Sequence, residues 1–267
     1  MASIPPAKAM SRVSSLPPQL QQALASRRLL KVIAGLTTTD PTVVARVSRA
    51  AGRGGADLVD VACEPALVRL AAEASGLPIC VSAVDPELFP AAVAAGAAMV
   101  EIGNFDAFYP QGRIFGADEV LDLTRRTRAL LPEVVLSVTV PHVLPLDAQE
   151  QLAVDLVAAG ADLIQTEGGT SARPVSAGVL GLIEKAAPTL AAAHAISKAV
   201  EIPVLCASGL SAVTVPMALA AGAAGVGVGS AVNRLEDDLA MVAVVRGLRE
   251  AMAVSSSTAE SRRPAGL

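Results

Sequence analysis

Glu167 stands directly before two glycines in the stretch QTEGGTS, Gln165 to Ser171, in a chain that is otherwise mostly Ala, Val, Leu and Gly. A carboxylate so placed suits a catalytic acid or base, a loop that wraps an anion, or a solvated turn. Three further charged groups lie inside apolar runs: Lys31 in KVIAGL, Asp60 in GADLVDVA and Glu101 in GAAMVEIG. A charge buried without a partner is costly, so these residues need one another or a site. His142, in VTVPHVLPLD, is a candidate general acid or base. Two stretches, CASGLS with Ser208 and Gly209 and GVGVGSAV with Gly227, Gly229 and Ser230, combine small residues with hydroxyls. Such loops let a phosphate approach backbone N–H groups.

The elements that would position these residues come from an internal repeat. Four segments open with Gly-Ala and run into β-branched residues: GADLVDVA, GAAMVEIG, GADLIQTE and GAAGVGVG. Three open with proline, PICVSAV, PEVVLSVTV and PVLCASG, and KVIAGL makes the eighth strand. Segments with helical spacing, such as PTVVARVSRAAGRG, separate them. Alternating strands and helices imply a parallel sheet, and eight units fit a single (β/α)8 TIM barrel of the aldolase, phosphate-binding type. A doubly wound dinucleotide fold fails, because the GVGVGS glycines fall inside the last strand and not in a turn after the first.

Laid over one another, the Gly-Ala segments put Val59, Val100, Ile164 and Val226 on one face, with Val61, Ile102, Thr166 and Val228 after them. This face should pack on the outer helices. The opposite parity points inward: Asp60, Glu101, Gln165 and Gly227 form one layer, and Ala62, Gly103, Glu167 and Gly229 the next, towards the mouth. Lys31 is expected to pair with Asp60 or Glu101, either as a structural ion pair or as part of a site. Glu101 and Glu167 are expected nearer the mouth, as proton-moving groups. With no lysine in the sixth strand, Lys31 is the one strand lysine available as a nucleophile.

The loop after the fourth strand, NFDAFYPQGRIFG, holds three of four Phe and the one Tyr. Phe105, Phe108, Tyr109 and Phe115 there suggest a lid, a stacking surface for a planar ligand, a subunit contact through residues 104–116, or equally a small satellite core beneath a long loop. Asn104, Asp106 and Arg113 are its polar groups, with Arg113 a contact to an anion. The 267 residues split into an N-terminal extension (1–28), the barrel (29–253) and a disordered Ser-rich tail (254–267). The opening MASIPPAKAMSRVSS suits either a frayed extension or an organelle transit peptide. A formal net charge of -4 gives no basic patch for nucleic acid, and no uninterrupted apolar run suggests a membrane span. Three separated cysteines and two histidines argue against disulfides and against a histidine-based metal centre.

Several strings, among them KVIAGL, EIGNFDAFY, LSVTVPH, QTEGGTS, VLCASGLS and GVGVGSAVN, resemble the hypothetical chloroplast reading frame twenty-three family of cyanobacteria and algal plastids. The resemblance runs from about Lys31 to Met252. It implies a phosphate-binding barrel in a cyanobacterial cytoplasm or a plastid stroma, and brings no activity, cofactor or catalytic residue. After the first strand this chain has Thr37, Thr38, Thr39 and Asp40 where the family pattern reads Thr-Asn-Phe-Asp. The residues themselves point to an enzyme that moves protons on a small phosphorylated metabolite, as an isomerase, epimerase or lyase. Two alternatives stand beside it: an oxidoreductase holding FMN by its phosphate on the same loops, and a non-enzymatic barrel that senses a metabolite.

Overall fold

The computed structural model describes residues 12–260, with side chains described for 12–253. Eight parallel strands close into a barrel in chain order: β1 (Leu29–Gly35), β2 (Leu58–Ala62), β3 (Ile79–Ala83), β4 (Met99–Ile102), β5 (Val135–Thr139), β6 (Leu163–Gln165), β7 (Val204–Ala207) and β8 (Gly225–Val228). A helix α1 (Pro18–Ala25) precedes β1. Outside the barrel lie α2 (Pro41–Gly54), α3 (Pro65–Ser75), α4 (Phe89–Ala94), α5 (Ala117–Leu130), α6 (Leu146–Ala158), α7 (Gly178–Ala199) and α8 (Val215–Ala220), and the short α9 (Ser230–Asn233) leads to α10 (Asp238–Glu260). Proline opens α1, α2 and α3, where its missing N–H costs nothing. The Asp40 side chain caps α2 by accepting from the Thr42 N–H at 2.8 Å.

The barrel's outward face is the aliphatic one, with Val59, Val61, Val100, Ile102, Ile164, Val226 and Val228 buried against the helices. Thr166 also points outward and pairs with Thr189 of α7 at 2.5 Å. Inside, the deepest layer is apolar: Leu29, Leu58, Cys80, Met99, Val135, Leu163 and Leu205. Leu16, Leu20 and Leu24 seal that layer from below.

Residues 12–28 are therefore no frayed extension. They form the floor plug, and Arg12 locks the plug in place by donating from Nε to Asp162 at 2.8 Å. Residues 1–11, and with them most of the transit-peptide reading, lie outside the described part. The tail also differs from expectation. α10 continues through 254–260, because the sequence from Ala253 to Glu260 holds neither Gly nor Pro; residues 261–267 are not described. One helix, α7, is long and apolar enough to cross a membrane by length and composition. It carries Glu184, Lys185 and Pro188 and packs in the ring of helices against β7.

Candidate active site at the barrel mouth

The middle layer of the barrel is polar and closed. The Lys31 ammonium donates to Glu101 at 2.6 Å and lies 3.1 Å from Asp60. Ser137 and Gln165 also donate to Glu101, at 2.8 and 2.6 Å, and Ser82 donates to Asp60 at 2.7 Å. Asn104 covers the group, donating to Ser82 and to Glu101. Burial pushes the Asp60 carboxyl up to about 6 against the pull of Lys31. Burial alone would lower the Lys31 ammonium, but the two carboxylates outweigh it and raise it. Glu101, Asp60 and Lys31 were candidates for chemistry; the structure makes them one buried ion network. Glu101 fails to reach the mouth because it lies a layer below Glu167 on a strand whose next inward residue, Gly103, has no room for a side chain. A Cβ there would meet Thr139 at 2.1 Å.

Glu167, just beyond β6, does reach the mouth. Its carboxylate accepts from the Tyr109 hydroxyl at 2.6 Å and from the backbone N–H groups of Asp106 and His142, both at 3.2 Å. The His142 Nδ1 lies 3.2 Å from Glu167 and 3.5 Å from Asp106. The Tyr109 and His142 rings meet edge to face at 5.1 Å. Burial pushes the Glu167 carboxyl up, with Asp106 adding to the effect, while His142 and Tyr109 only partly oppose it. Burial would lower His142, but its hydrogen bond to Glu167 and the two negative charges raise it. The Glu167 carboxyl thus holds a proton more readily than an exposed glutamate, and His142 holds one more readily than a free imidazole, which suits groups that pass a proton between them.

Above this cluster opens a cavity of about 320 Å³. One wall carries Asp106 and Glu167; the other carries Ser208, Gly209, Gly229 and Ser230 from the loops after β7 and β8. The two sides are joined by Ser208, which adopts φ 75°, unusual for a residue with a side chain. Its hydroxyl donates to Asp106 at 2.8 Å and accepts from the Thr170 N–H at 2.9 Å. Gly169 makes this possible, since a Cβ there would lie 2.4 Å from the Ser208 carbonyl oxygen. The loop after β6 thus packs backbone to backbone on the loop after β7.

Several expected contacts are placed elsewhere. Gly227 does not line the cavity; it faces Ala207, Ile33 and Gln165 within the barrel, so it offers no backbone contact to a ligand at the mouth. Gln165 is buried in the ion network and does not line the cavity. Phe105 is fully buried, stacked on Phe115 at 4.5 Å, and is no lid. Arg113 lies over Phe115 at 4.4 Å and pairs with Glu119, away from the mouth, so it offers no anion contact there. The aromatic residues turn inward because the loop must cover its own apolar surface, leaving Ile114 as its exposed large aliphatic. No aromatic ring lines the cavity among the described residues, which removes the stacking surface that favoured a flavin.

Sequence reasoning missed Arg234 and Asn233, which line the cavity just past Ser230. Their position three and four residues beyond Ser230, at the end of the short helix that follows the last strand, was the available signal. It also gave Asp106 too little weight. Among the described residues, two groups bring three ligand atoms within 4.8 Å of one another, as a metal would require: Asp60, Cys80 and Glu101, and Asp106, His142 and Glu167. In the first, the Lys31 ammonium already serves the carboxylates. In the second, the His142 Nδ1 faces both carboxylates and would serve as a ligand only with its lone pair free of a proton.

Comparison with known proteins decides the family. The model for "Protein of unknown function (DUF561)" matches residues 14–258. The chain belongs to this family. It is 42% identical over 225 residues to the "Uncharacterized protein ycf23" of Cyanophora paradoxa, covering 84% of this chain and 92% of the relative. The protein of the same name from Pyropia yezoensis is 36% identical over 226 residues, covering 85% and 83%. These relatives match the plastid reading-frame family that the sequence resembles.

Solved structures share the fold at low identity. Thiamine phosphate pyrophosphorylase from Pyrococcus furiosus matches with TM-score 0.56 at 18% identity, over 87% of this chain and 98% of that one. (S)-3-O-geranylgeranylglyceryl phosphate synthase from Thermoplasma acidophilum, in complex with sn-glycerol-1-phosphate, matches with TM-score 0.54 at 15% identity, over 87% and 97%.

Proposed function

We propose that this barrel binds a small phosphorylated metabolite at its mouth and moves a proton on it, as an isomerase, epimerase or lyase does. One observation carries the reading: the buried Glu167 carboxylate, with the half-buried His142 imidazole 3.2 Å behind it, faces the loops after β7 and β8 across a single cavity. The phosphate sits against Gly209, Gly229 and Ser230, with the Arg234 guanidinium as its counter-charge. Glu167 takes the proton from a carbon next to the ligand's carbonyl, and the electron pair of that C–H bond moves to the carbonyl oxygen. Tyr109 and the two backbone N–H groups hold the carboxylate in place. His142 shares the proton, and its return to the same or a neighbouring atom completes the reaction. The phosphate compounds named for two of the similar barrels favour an anion as the ligand. The algal relatives favour the plastid or cyanobacterial setting.

Calorimetry and thermal shift with inorganic phosphate and a panel of sugar phosphates test the reading. Wild type is expected to bind, and Arg234→Ala to bind roughly tenfold more weakly, the loss of one charge-assisted contact. Glu167→Gln is expected to keep binding and lose turnover of any substrate the panel reveals. A wild-type protein that ignores every phosphorylated compound would overturn the proposal.

A further inference from the structure

We infer that the groove between α2 and α10, on the outside of the barrel, is a second anion site that takes a small ligand with two or more phosphate groups. The anion site does not rest on the reading of the mouth; its effector role does. α2 carries Arg46, Arg49 and Arg53 at spacings of three and four, which puts all three on one face. α10 presents Val242 and Arg246, again four apart. The helices are pressed together at Gly54, where a Cβ would lie 2.4 Å from the Val245 side chain. Between them opens a cavity of about 420 Å³, walled by the four arginines over an apolar floor of Ala50 and Val242.

Charge is what makes this groove unusual. The chain as a whole has a net charge of -4, yet four guanidiniums meet here with Asp238 as the one carboxylate in the lining. Asp238 pairs with Arg46 at 2.8 Å, leaving the charges of Arg49, Arg53 and Arg246 unbalanced within the groove. The Arg46 hydrogen bond, and then the charges of Arg46, Arg49 and Arg53, hold the Asp238 carboxyl below its usual range, a sign of the positive field. Like charges three and four residues apart on a helix repel and destabilise it. A polyanion relieves that repulsion, and a pyrophosphate-like group can bridge the two helices. Arg supplies the planar fork that suits phosphate oxygens.

The groove is also wired to the mouth. Besides Asp238, Arg46 donates to the Glu236 carbonyl oxygen. Both partners lie on the segment that runs from Arg234, in the mouth lining, into α10. An anion that engages Arg46 competes with Asp238 and loosens that segment. The site is therefore an effector site, and its occupancy is felt at Arg234.

Inorganic pyrophosphate is the probe. Titration by calorimetry of the full chain carrying Arg234→Ala, which weakens the mouth, isolates the groove. Adding Arg49→Ala and Arg246→Ala is expected to weaken pyrophosphate binding roughly tenfold or more, while Arg69→Ala on α3 changes nothing. The Arg49→Ala/Arg246→Ala protein should melt no lower than its parent, since exposed like charges are removed, so misfolding cannot mimic the result. Unchanged binding without Arg49 and Arg246, or an equal loss with Arg69→Ala, overturns the site. With Arg234 restored, pyrophosphate should shift the affinity of the mouth for a sugar phosphate several-fold, and the shift should vanish in the groove variant. No shift in the wild type overturns the effector role. A mouth that binds no phosphate leaves the pyrophosphate arm to stand or fall alone.

Discussion

At the scale of single residues, the pair of Glu167 and His142 sets the behaviour of the mouth. The two carboxylates beside His142 raise its pKa above its ordinary 6.5 in the folded protein. A group raised on folding stabilises the fold fully below its unfolded pKa and loses that contribution as pH climbs through the folded value. The stability gap between wild type and His142→Gln is therefore expected to be widest at about pH 6 and to narrow by pH 9, followed by urea denaturation. A gap that widens with pH would contradict the pairing. Much of this site was legible in the sequence, because strand parity alone sent Asp60, Glu101, Gln165 and Glu167 inward. Parity says nothing of depth. It could not show that Lys31 and Asn104 shut Glu101 away while Glu167, a layer higher, stays within reach of a ligand. Nor could it bring Tyr109 and Asp106 onto Glu167, since those contacts span about sixty residues of chain.

At the scale of elements, the plug below the barrel is the clearest departure from the sequence reading. Leu16, Leu20 and Leu24 recur every four residues, a helical stripe that can be read directly. What the stripe packs on is assembled from seven strands, so its value is non-local and the segment looked dispensable. Leu20 is fully buried on that floor. Leu20→Ala is expected to cost about 2–4 kcal/mol in unfolding free energy by loss of burial and the cavity left behind. Phosphate affinity at the opposite end should stay unchanged. A loss under 1 kcal/mol in chemical denaturation would show that α1 merely rests on the barrel. The aromatic loop teaches the reverse lesson. Its composition left exposed rings and a small satellite core equally open; Phe105 and Phe115 satisfy each other in such a core, and of the aromatic side chains only the Tyr109 hydroxyl serves the site.

At the scale of the whole molecule, the barrel interior is stacked in order along its axis: apolar floor, charged middle, open mouth. The middle layer ties six strands together, with Lys31 from β1, Asp60 from β2, Ser82 from β3, Glu101 from β4, Ser137 from β5 and Gln165 from β6. Most barrels fill this layer with aliphatic side chains, so the network must repay the desolvation of three charges. It does so only while every member is present. Lys31→Met would strand two carboxylates, Asp60 at 1% and Glu101 at 0% exposure, without their cation. The expected cost is about 3–5 kcal/mol of unfolding free energy at neutral pH, enough to threaten folding itself. Lowering the pH should recover part of it, because protonating Asp60, whose carboxyl burial already raises, removes part of the stranded charge. The decisive comparison adds Asp60→Asn and Glu101→Gln to Lys31→Met. If the cost is charge left unpaired, the triple variant is more stable than the single one, although it has lost two more native side chains. If the cost were lost packing around the lysine stem, the triple variant would be no better than the single one.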